Sequence, residues 1–389
     1  MRILTLCYEY PPIGGGGAVV CREVAQALAA VGHEVNVVTS RMEGVPAFQD
    51  DGGVDVHRVP SWRKRRYHAT TAELGSELVP TYRTALRLHE ADPFDIVHCH
   101  FIVPSGLVAL KLGERTGLPY VLTAHGSDVP GYNSARFKLM HRLIGPLWQR
   151  VVTGSAAVTT PSHFLEDLIH QHTDAPVHVI PNAFSTASAV DGAADGGVER
   201  RDRFLVVSRM LERKGVQHFI KALKGLPPGW EAVVAGDGPY LATARGIAAE
   251  AGVDVRFLGH VAREDLPALY RSAKVFVFPS LQENFPMVLL EAMAAGCAVV
   301  SSTAPGCLEV VGDAARLVAP GDVEGLHEAM KGLMTDGAAV ADLRARAYGR
   351  VTLFAPDHVA RQYERLFLIK GANPPLGVPE RLRAASRAA

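Results

Sequence analysis

Short apolar runs alternate with longer segments of helical spacing along nearly the whole chain, and this alternation leaves few folds open. In the first half the runs fall at 2–7, 34–39, 54–59, 95–98, 119–123, 156–159 and 177–180; in the second, at 203–208, 231–235, 254–258, 275–278 and 297–301. Their alternation with helical segments implies a parallel sheet covered on both faces, and the runs that flank 279–296 are rich in Val and Phe, as buried parallel strands are. Residues 185–200, between the two series, are mainly Ser, Ala, Gly and Asp, the composition of an exposed linker. A chain of 389 residues is also too long for one ordinary core. The expected class is α/β: two Rossmann-like, doubly wound domains, 1–184 and 201–355, facing each other across a ligand-binding cleft.

Charge balances at 40 basic and 40 acidic residues, so nothing global points to nucleic acid. Cys7, Cys21, Cys99, Cys297 and Cys307 form no C-x-x-C pair and lie mostly in apolar segments, as reduced core residues of a cytoplasmic protein would. Met1-Arg2 runs straight into the first strand without a signal peptide, and no apolar run reaches membrane-spanning length. The expected location is the cytoplasm.

The richest stretch is Phe276 to Val300, which reads as strand, loop, helix, strand, with Gly296 stopping the helix. Pro286 suits a first helical turn, so the helix is expected to start near Phe285, its free amides turned into the loop as an anion site. Glu283 lies in the loop and Glu291 in the helix, roughly 10–12 Å apart if the whole interval rises as a helix. Two Glu eight residues apart recur by chance. The apolar neighbours, Val288-Leu289-Leu290 and Ala292-Met293-Ala294-Ala295, are the stronger signal, because a carboxylate among them needs a partner.

Other loops follow predicted strand ends, where open α/β sheets bind ligands. Gly14, Gly15, Gly16 and Gly17 precede a helix expected from Ala18 and offer amides for an anion, although no G-x-G-x-x-G is present. His125-Gly126-Ser127-Asp128 follows the strand at 119–123. Arg209 and Lys214 share one loop, the first a fork for phosphate oxygens and the second a point charge, with Arg213 as a surface control. Gly236-Asp237-Gly238-Pro239 forms a tight turn against which a nucleoside can lie. His98 and His100 lack a convergent third ligand and are not read as metal-binding. For Trp62-Arg63-Lys64-Arg65-Arg66-Tyr67-His68 two readings stay open: a solvated loop, or contact with an anionic membrane face or a lipid-linked phosphate.

Taken in order, Gly14 to Gly17, His125-Gly126-Ser127-Asp128, Ser208-Arg209 with Lys214-Gly215, Gly236-Asp237-Gly238-Pro239, Phe257-Leu258-Gly259-His260-Val261 and Glu283-x7-Glu291 resemble the pattern of the retaining glycosyltransferases of family 4, which have the GT-B fold. The resemblance implies that Arg209 and Lys214 hold the diphosphate of a nucleotide-sugar donor, Glu291 its ribose and Glu283 the hydroxyls of the transferred sugar. It places His125 by the reacting carbon and assigns donor contacts to the glycine loop, Asp128, Gly236, Gly238, His260, Val261, Asn284, Phe285, Pro286, Met287 and Val288. Asn284 and Pro286 stand where the family often has glycine, and Pro286 has no amide to donate. The resemblance also implies a helix at 356–372 crossing back to the first domain, and the Pro-, Ala- and Arg-rich composition of 373–389 is that of a mobile tail.

The activity so implied is transfer from a UDP-sugar or GDP-mannose type of donor to a glycan, lipid-linked glycan or small molecule, with no metal and no cofactor. A donor phosphate oxygen would take the acceptor's proton in a front-face displacement. Two alternatives share the architecture: a non-hydrolysing sugar-nucleotide epimerase, and a noncatalytic binder of nucleotide sugars or glycans.

Overall fold

The computed structural model describes residues 1–132, 134–186 and 200–372; most of the expected linker (187–199) and the expected tail (373–389) lie outside them. All the expected runs become strands: β1 (Arg2–Leu6), β2 (Glu34–Ser40), β4 (Val54–Val59), β5 (Ile96–His100), β6 (Tyr120–Thr123), β7 (Ala157–Thr160) and β8 (Val177–Val179), then β9 (Arg201–Val207), β10 (Glu231–Ala235), β11 (Arg256–Gly259), β12 (Ala273–Phe278) and β13 (Ala298–Ser302). Two short edge strands escape the apolar-run criterion, β3 (Phe48–Asp50) and β14 (Arg316–Val318), because most of their residues are exposed or only half-buried.

The first sheet has the order β3-β4-β2-β1-β5-β6-β7-β8 and is parallel apart from the antiparallel β3–β4 pair. The second, β11-β10-β9-β12-β13-β14, is parallel throughout. In each, strand order reverses beside the first strand, between β1 and β5 and between β9 and β12, which makes the carboxyl ends there natural ligand sites. The alternation of side chains along a strand builds the second unit's two packed layers. Phe204, Val206, Val275 and Val277 go to one face, and Leu205, Val207, Phe276 and Phe278 to the other.

The chain divides into Met1–Ala183 with the segment from Pro356 onward, and Phe184–Ala355. Phe184, expected in the first domain, belongs to the second unit: its amide donates to Phe354 O at 2.8 Å and its ring joins that core. The helix Pro356–Ala372 packs on the first unit through Val359, Tyr363, Leu366 and Phe367, all buried. The Tyr363 hydroxyl lies 3.3 Å from Thr123 Oγ1 and 3.4 Å from Thr159 Oγ1. All five cysteines are free and buried. Among the described residues no helix is long and apolar enough to cross a membrane.

Candidate active site

In the first unit the glycine loop leaves β1 and enters the helix Gly16–Ala30, two residues earlier than expected. The anion at that helix start is the protein's own. Glu9, nearly buried, lies against Gly14 and Gly17, where the backbone amides of Gly15 and Ala18 favour its charged form. Burial raises its pKa, an effect partly offset by Arg63, whose Nη2 is 3.9 Å from Glu9 Oε2, and by the two amides. The sequence reading missed Glu9; its place between a strand end and a glycine run was the available signal.

Arg63 itself is a correction to the basic run. It is 7% exposed and donates to the carbonyls of Tyr8, Arg65 and Arg66, so it braces the loop and faces no membrane. The Gly14 amide donates to Arg66 O at 2.7 Å, tying the run to the glycine loop. Trp62, Lys64, Arg65, Arg66, Tyr67 and His68 stay exposed.

After β6, Asp128 shapes the next loop. Its Oδ1 accepts from the amides of His125 (3.0 Å) and Gly126 (2.9 Å), and its Oδ2 from that of Ile102 (2.8 Å). The carboxylate expected to touch the donor is thus engaged by backbone. His125 Nε2 lies 3.0 Å from His100 Nδ1, and Phe101 packs on the His125 ring at 4.4 Å. Phe101, also missed from sequence, takes a left-handed backbone (φ +70°), a conformation that costs about 1–3 kcal/mol and tends to occur at functional sites. The His98 ring packs against that of His100 at 4.3 Å, tilted by 47°, and its Nε2 lies 2.8 Å from Thr123 Oγ1. Burial lowers the His125 pKa to about 4 and that of His98 to about 3, and holds His100 well below its ordinary value, so the column is neutral at pH 7. Such a His125 offers a hydrogen bond and no charge. Among the described residues no group of three or more His, Cys, Asp or Glu is gathered to hold a metal ion.

The second unit brings four strand-end loops together. Arg209 stands exposed after β9, and Lys214 ends a short 3-10 turn, Glu212–Lys214, on the same loop. Lys214 Nζ is paired with Glu283 Oε1 from the loop after β12. Burial lowers the Lys214 pKa, and Glu283 offsets part of that shift. Ser280 Oγ lies 2.7 Å from the same Glu283 oxygen. Arg213, expected as a surface control, donates from Nη1 to Gln282 O at 3.3 Å. The turn after β10 packs backbone to backbone on the β9 loop: a Cβ at Gly236 (φ +133°) would lie 1.8 Å from Ser208 O, so only glycine fits. Next to it the Gly236 amide donates to Gly259 O (2.7 Å), placing exposed His260 and half-buried Val261 just beyond.

The helix after Glu283 spans Met287–Ala294, two residues later than expected at its start. Pro286 is its N-cap, extended at ψ 102°, so it lies outside the first turn. The amides turned toward the loop therefore belong to Met287 and Val288, since Leu289 N already bonds Pro286 O at 3.1 Å. The helical rise applies only to the second half of the Glu283–Glu291 interval, so the expected spacing does not carry over. Asn284 and Phe285 are buried in the loop. Glu291 has the partner its apolar neighbours demanded, the Tyr270 hydroxyl, which donates to Oε2 at 2.8 Å. Burial still raises its pKa.

Comparison with known proteins agrees along most of the chain. The family Glycosyltransferase Family 4 matches residues 14–188, and Glycosyl transferases group 1 matches 194–350. Glycogen synthase of Mycobacterium tuberculosis is 31% identical, the match covering 89% of each chain. Phosphatidyl-myo-inositol mannosyltransferase of Mycolicibacterium smegmatis is 30% identical over 94% of this chain and 93% of its own. Sucrose-phosphate synthase of Thermosynechococcus elongatus superposes with a TM-score of 0.75 at 22% identity, covering 95% of this chain and 98% of the other. Anabaena HepE, solved with UDP-glucose, gives 0.70 at 19%, covering 95% and 100%. Two Rossmann-like sheets, two matched family halves and near full-length relatives lead to one assignment: the chain belongs to the family 4 glycosyltransferases and has their GT-B fold.

Proposed function

We propose that this glycosyltransferase transfers a hexose, with retention and without a metal, from a nucleoside-diphosphate sugar of the UDP or GDP-mannose type to a glycan, lipid-linked glycan or small-molecule acceptor. The observation that carries the reading is the Lys214–Glu283 pair on two strand-end loops of the second unit, with Arg209 on the Lys214 loop. A cation that stabilises the leaving diphosphate is held against the carboxylate that receives the sugar hydroxyls. Preorganised charge of this kind needs no rearrangement as the bond to the leaving group breaks. Glu291 takes the ribose, with the Met287 and Val288 amides, Gly236, Gly238, His260 and Val261 completing the donor contacts. In the first unit His125, neutral, offers a hydrogen bond and no charge. Gly16 and Gly17 offer the helix amides not held by Glu9. The relatives that work on glycogen and on phosphatidyl-myo-inositol support a polysaccharide or lipid-linked acceptor without choosing between them.

Incubation with UDP-glucose, UDP-galactose, UDP-N-acetylglucosamine, ADP-glucose and GDP-mannose, with and without glycan and polyprenyl-linked acceptors, tests this reading. Acceptor-dependent release of one nucleoside diphosphate supports it. Formation of an altered nucleotide sugar without acceptor, or binding without turnover, refutes it.

A lipid-linked acceptor would bring the enzyme to an anionic membrane face. Trp62 (70% exposed) and Tyr67 (76%) flank exposed Lys64, Arg65 and Arg66, which contribute roughly 3 kcal/mol near such a surface. Co-sedimentation with anionic and neutral vesicles should favour the anionic ones and drop on Lys64→Ser, Arg65→Ser, Arg66→Ser replacement with Arg63 kept. Equal partitioning of both proteins would leave a water-soluble acceptor.

A further inference from the structure

We infer that Ser280 is a positioning residue that decides which oxygen of Glu283 meets the substrate. The inference rests on the reading that Glu283 receives the hydroxyls of the transferred sugar, and goes beyond it by assigning the atom.

Ser280 is fully buried, and a buried hydroxyl keeps its single proton for the best acceptor within reach. Three oxygens surround it: Glu283 Oε1 at 2.7 Å, Arg213 O at 3.2 Å and Gln282 O at 3.4 Å. The carboxylate is both the nearest and the only charged one, so the proton goes there. Lys214 Nζ donates to that same Oε1. Two donors, from loops 69 residues apart in the case of Lys214, thus converge on one oxygen of the pair. Glu283 Oε2 has no donor among the described residues, yet it is not among the buried polar atoms left unbonded, so the exposed 8% of the side chain includes this oxygen. It is the one presented.

The frame around Ser280 is stiff. Ser302 Oγ on β13 donates to Ser280 O at 2.6 Å, and the Leu281 amide donates to Arg213 O at 2.8 Å. On the other side the helix Pro305–Val311 presses its backbone onto the loop, where a Cβ at Gly306 would lie 2.3 Å from Asn284 O. With the main chain held on both sides, the Ser280–Oε1 bond removes the remaining freedom of the carboxylate, its rotation about the last side-chain torsion. Without it, the carboxylate can turn about Lys214 and Oε2 leaves its place. The same device recurs at Glu291, where Tyr270 holds Oε2 and leaves Oε1.

A double-mutant cycle on Ser280→Ala and Glu283→Ala tests the assignment, using as donor whichever of UDP-glucose, ADP-glucose and GDP-mannose the wild type turns over fastest. Loss of one hydrogen bond to a charged group predicts a roughly 10- to 100-fold fall in kcat/KM for S280A. Affinity for the free nucleoside diphosphate, measured by calorimetry, should not change. In the E283A background S280A should change turnover by no more than about twofold, because a residue acting through Glu283 has nothing left to act on. The same fold-loss in both backgrounds would overturn the inference and leave Ser280 a structural residue. If E283A alone transfers sugar at the wild-type rate, the reading of Glu283 falls and takes the assignment with it. Should S280A fail to fold, Ser280→Cys fills the space with a slightly larger, weaker donor and is expected to show a smaller loss with the same dependence on Glu283.

Discussion

Lys214→Met strands a carboxylate. In the wild type the ammonium is 13% and the Glu283 carboxylate 8% exposed, so both charges are largely out of water and each is the other's compensation. Removing one partner of such a pair costs about 3–5 kcal/mol, and Ser280, which still donates to Glu283, keeps the cost near the lower end, about 3 kcal/mol. The second unit has roughly 170 residues, a size at which each kcal/mol moves the melting temperature by roughly 2–4 °C. Its unfolding transition should therefore fall by about 6–12 °C. Arg209→Met, at an exposed position, should shift it by no more than about 2 °C. Both variants should lose turnover by a factor on the order of 10²–10³, so activity alone does not separate them. Calorimetry without nucleotide at pH 7 does. Adding Glu283→Leu to Lys214→Met should recover most of the lost stability, because the stranded charge is gone. Equal melting temperatures for Lys214→Met and Arg209→Met would refute the reasoning, since the pair would then contribute nothing in solution.

Arg213→Ala should reduce turnover by about tenfold or less, through a looser carbonyl at Gln282 next to Glu283, and a wild-type rate would show that its 3.3 Å bond is idle. Imidazole resonances of His98 and His125 should stay in the neutral form from pH 8 down to about 5. Because the unfolded chain takes up protons near pH 6.5 and these folded sites only near 3 and 4, each contributes stability that is full above pH 6.5. It is lost below that at about 1.4 kcal/mol per pH unit. Glu77, raised to about 8 by burial, and Glu9, Asp128 and Glu291, also raised by burial, work in the opposite direction, but burial lowers His33, His57, His89, His100, His178 and His218 as well, so urea midpoints should still decline from pH 6.5 to 5, and a flat profile would contradict this. Gly306→Ala should cut turnover at least about a hundredfold by pushing the Glu283–Asn284 backbone, whereas Gly332→Ala, with nothing within 4 Å of its Cβ, should leave activity unchanged and stabilise its helix by up to about 1 kcal/mol.

Local pattern was enough to read the scaffold. The runs Val275-Phe276-Val277-Phe278 and Cys297-Ala298-Val299-Val300 are apolar at every position, as a strand covered on both faces demands, because alternate side chains are buried on opposite sides. The same logic required a partner for Glu291 among its apolar neighbours, although it did not name Tyr270. Where exposure erased the pattern, as at Phe48–Asp50 and Arg316–Val318, the strands went unread. The tertiary structure decided everything that depends on which strand ends become neighbours. Sheet order sets Lys214 against Glu283 across 69 residues and His100 against His125 across 25. It also buries Arg63 beneath carbonyls of its own basic run, and lets Glu9 take the helix start that the glycines seemed to offer a phosphate. Residue type supplies the charge and the spacing supplies the loop. Only the packed backbone, through contacts as close as Gly236 on Ser208 and Gly306 on Asn284, determines which charge meets which.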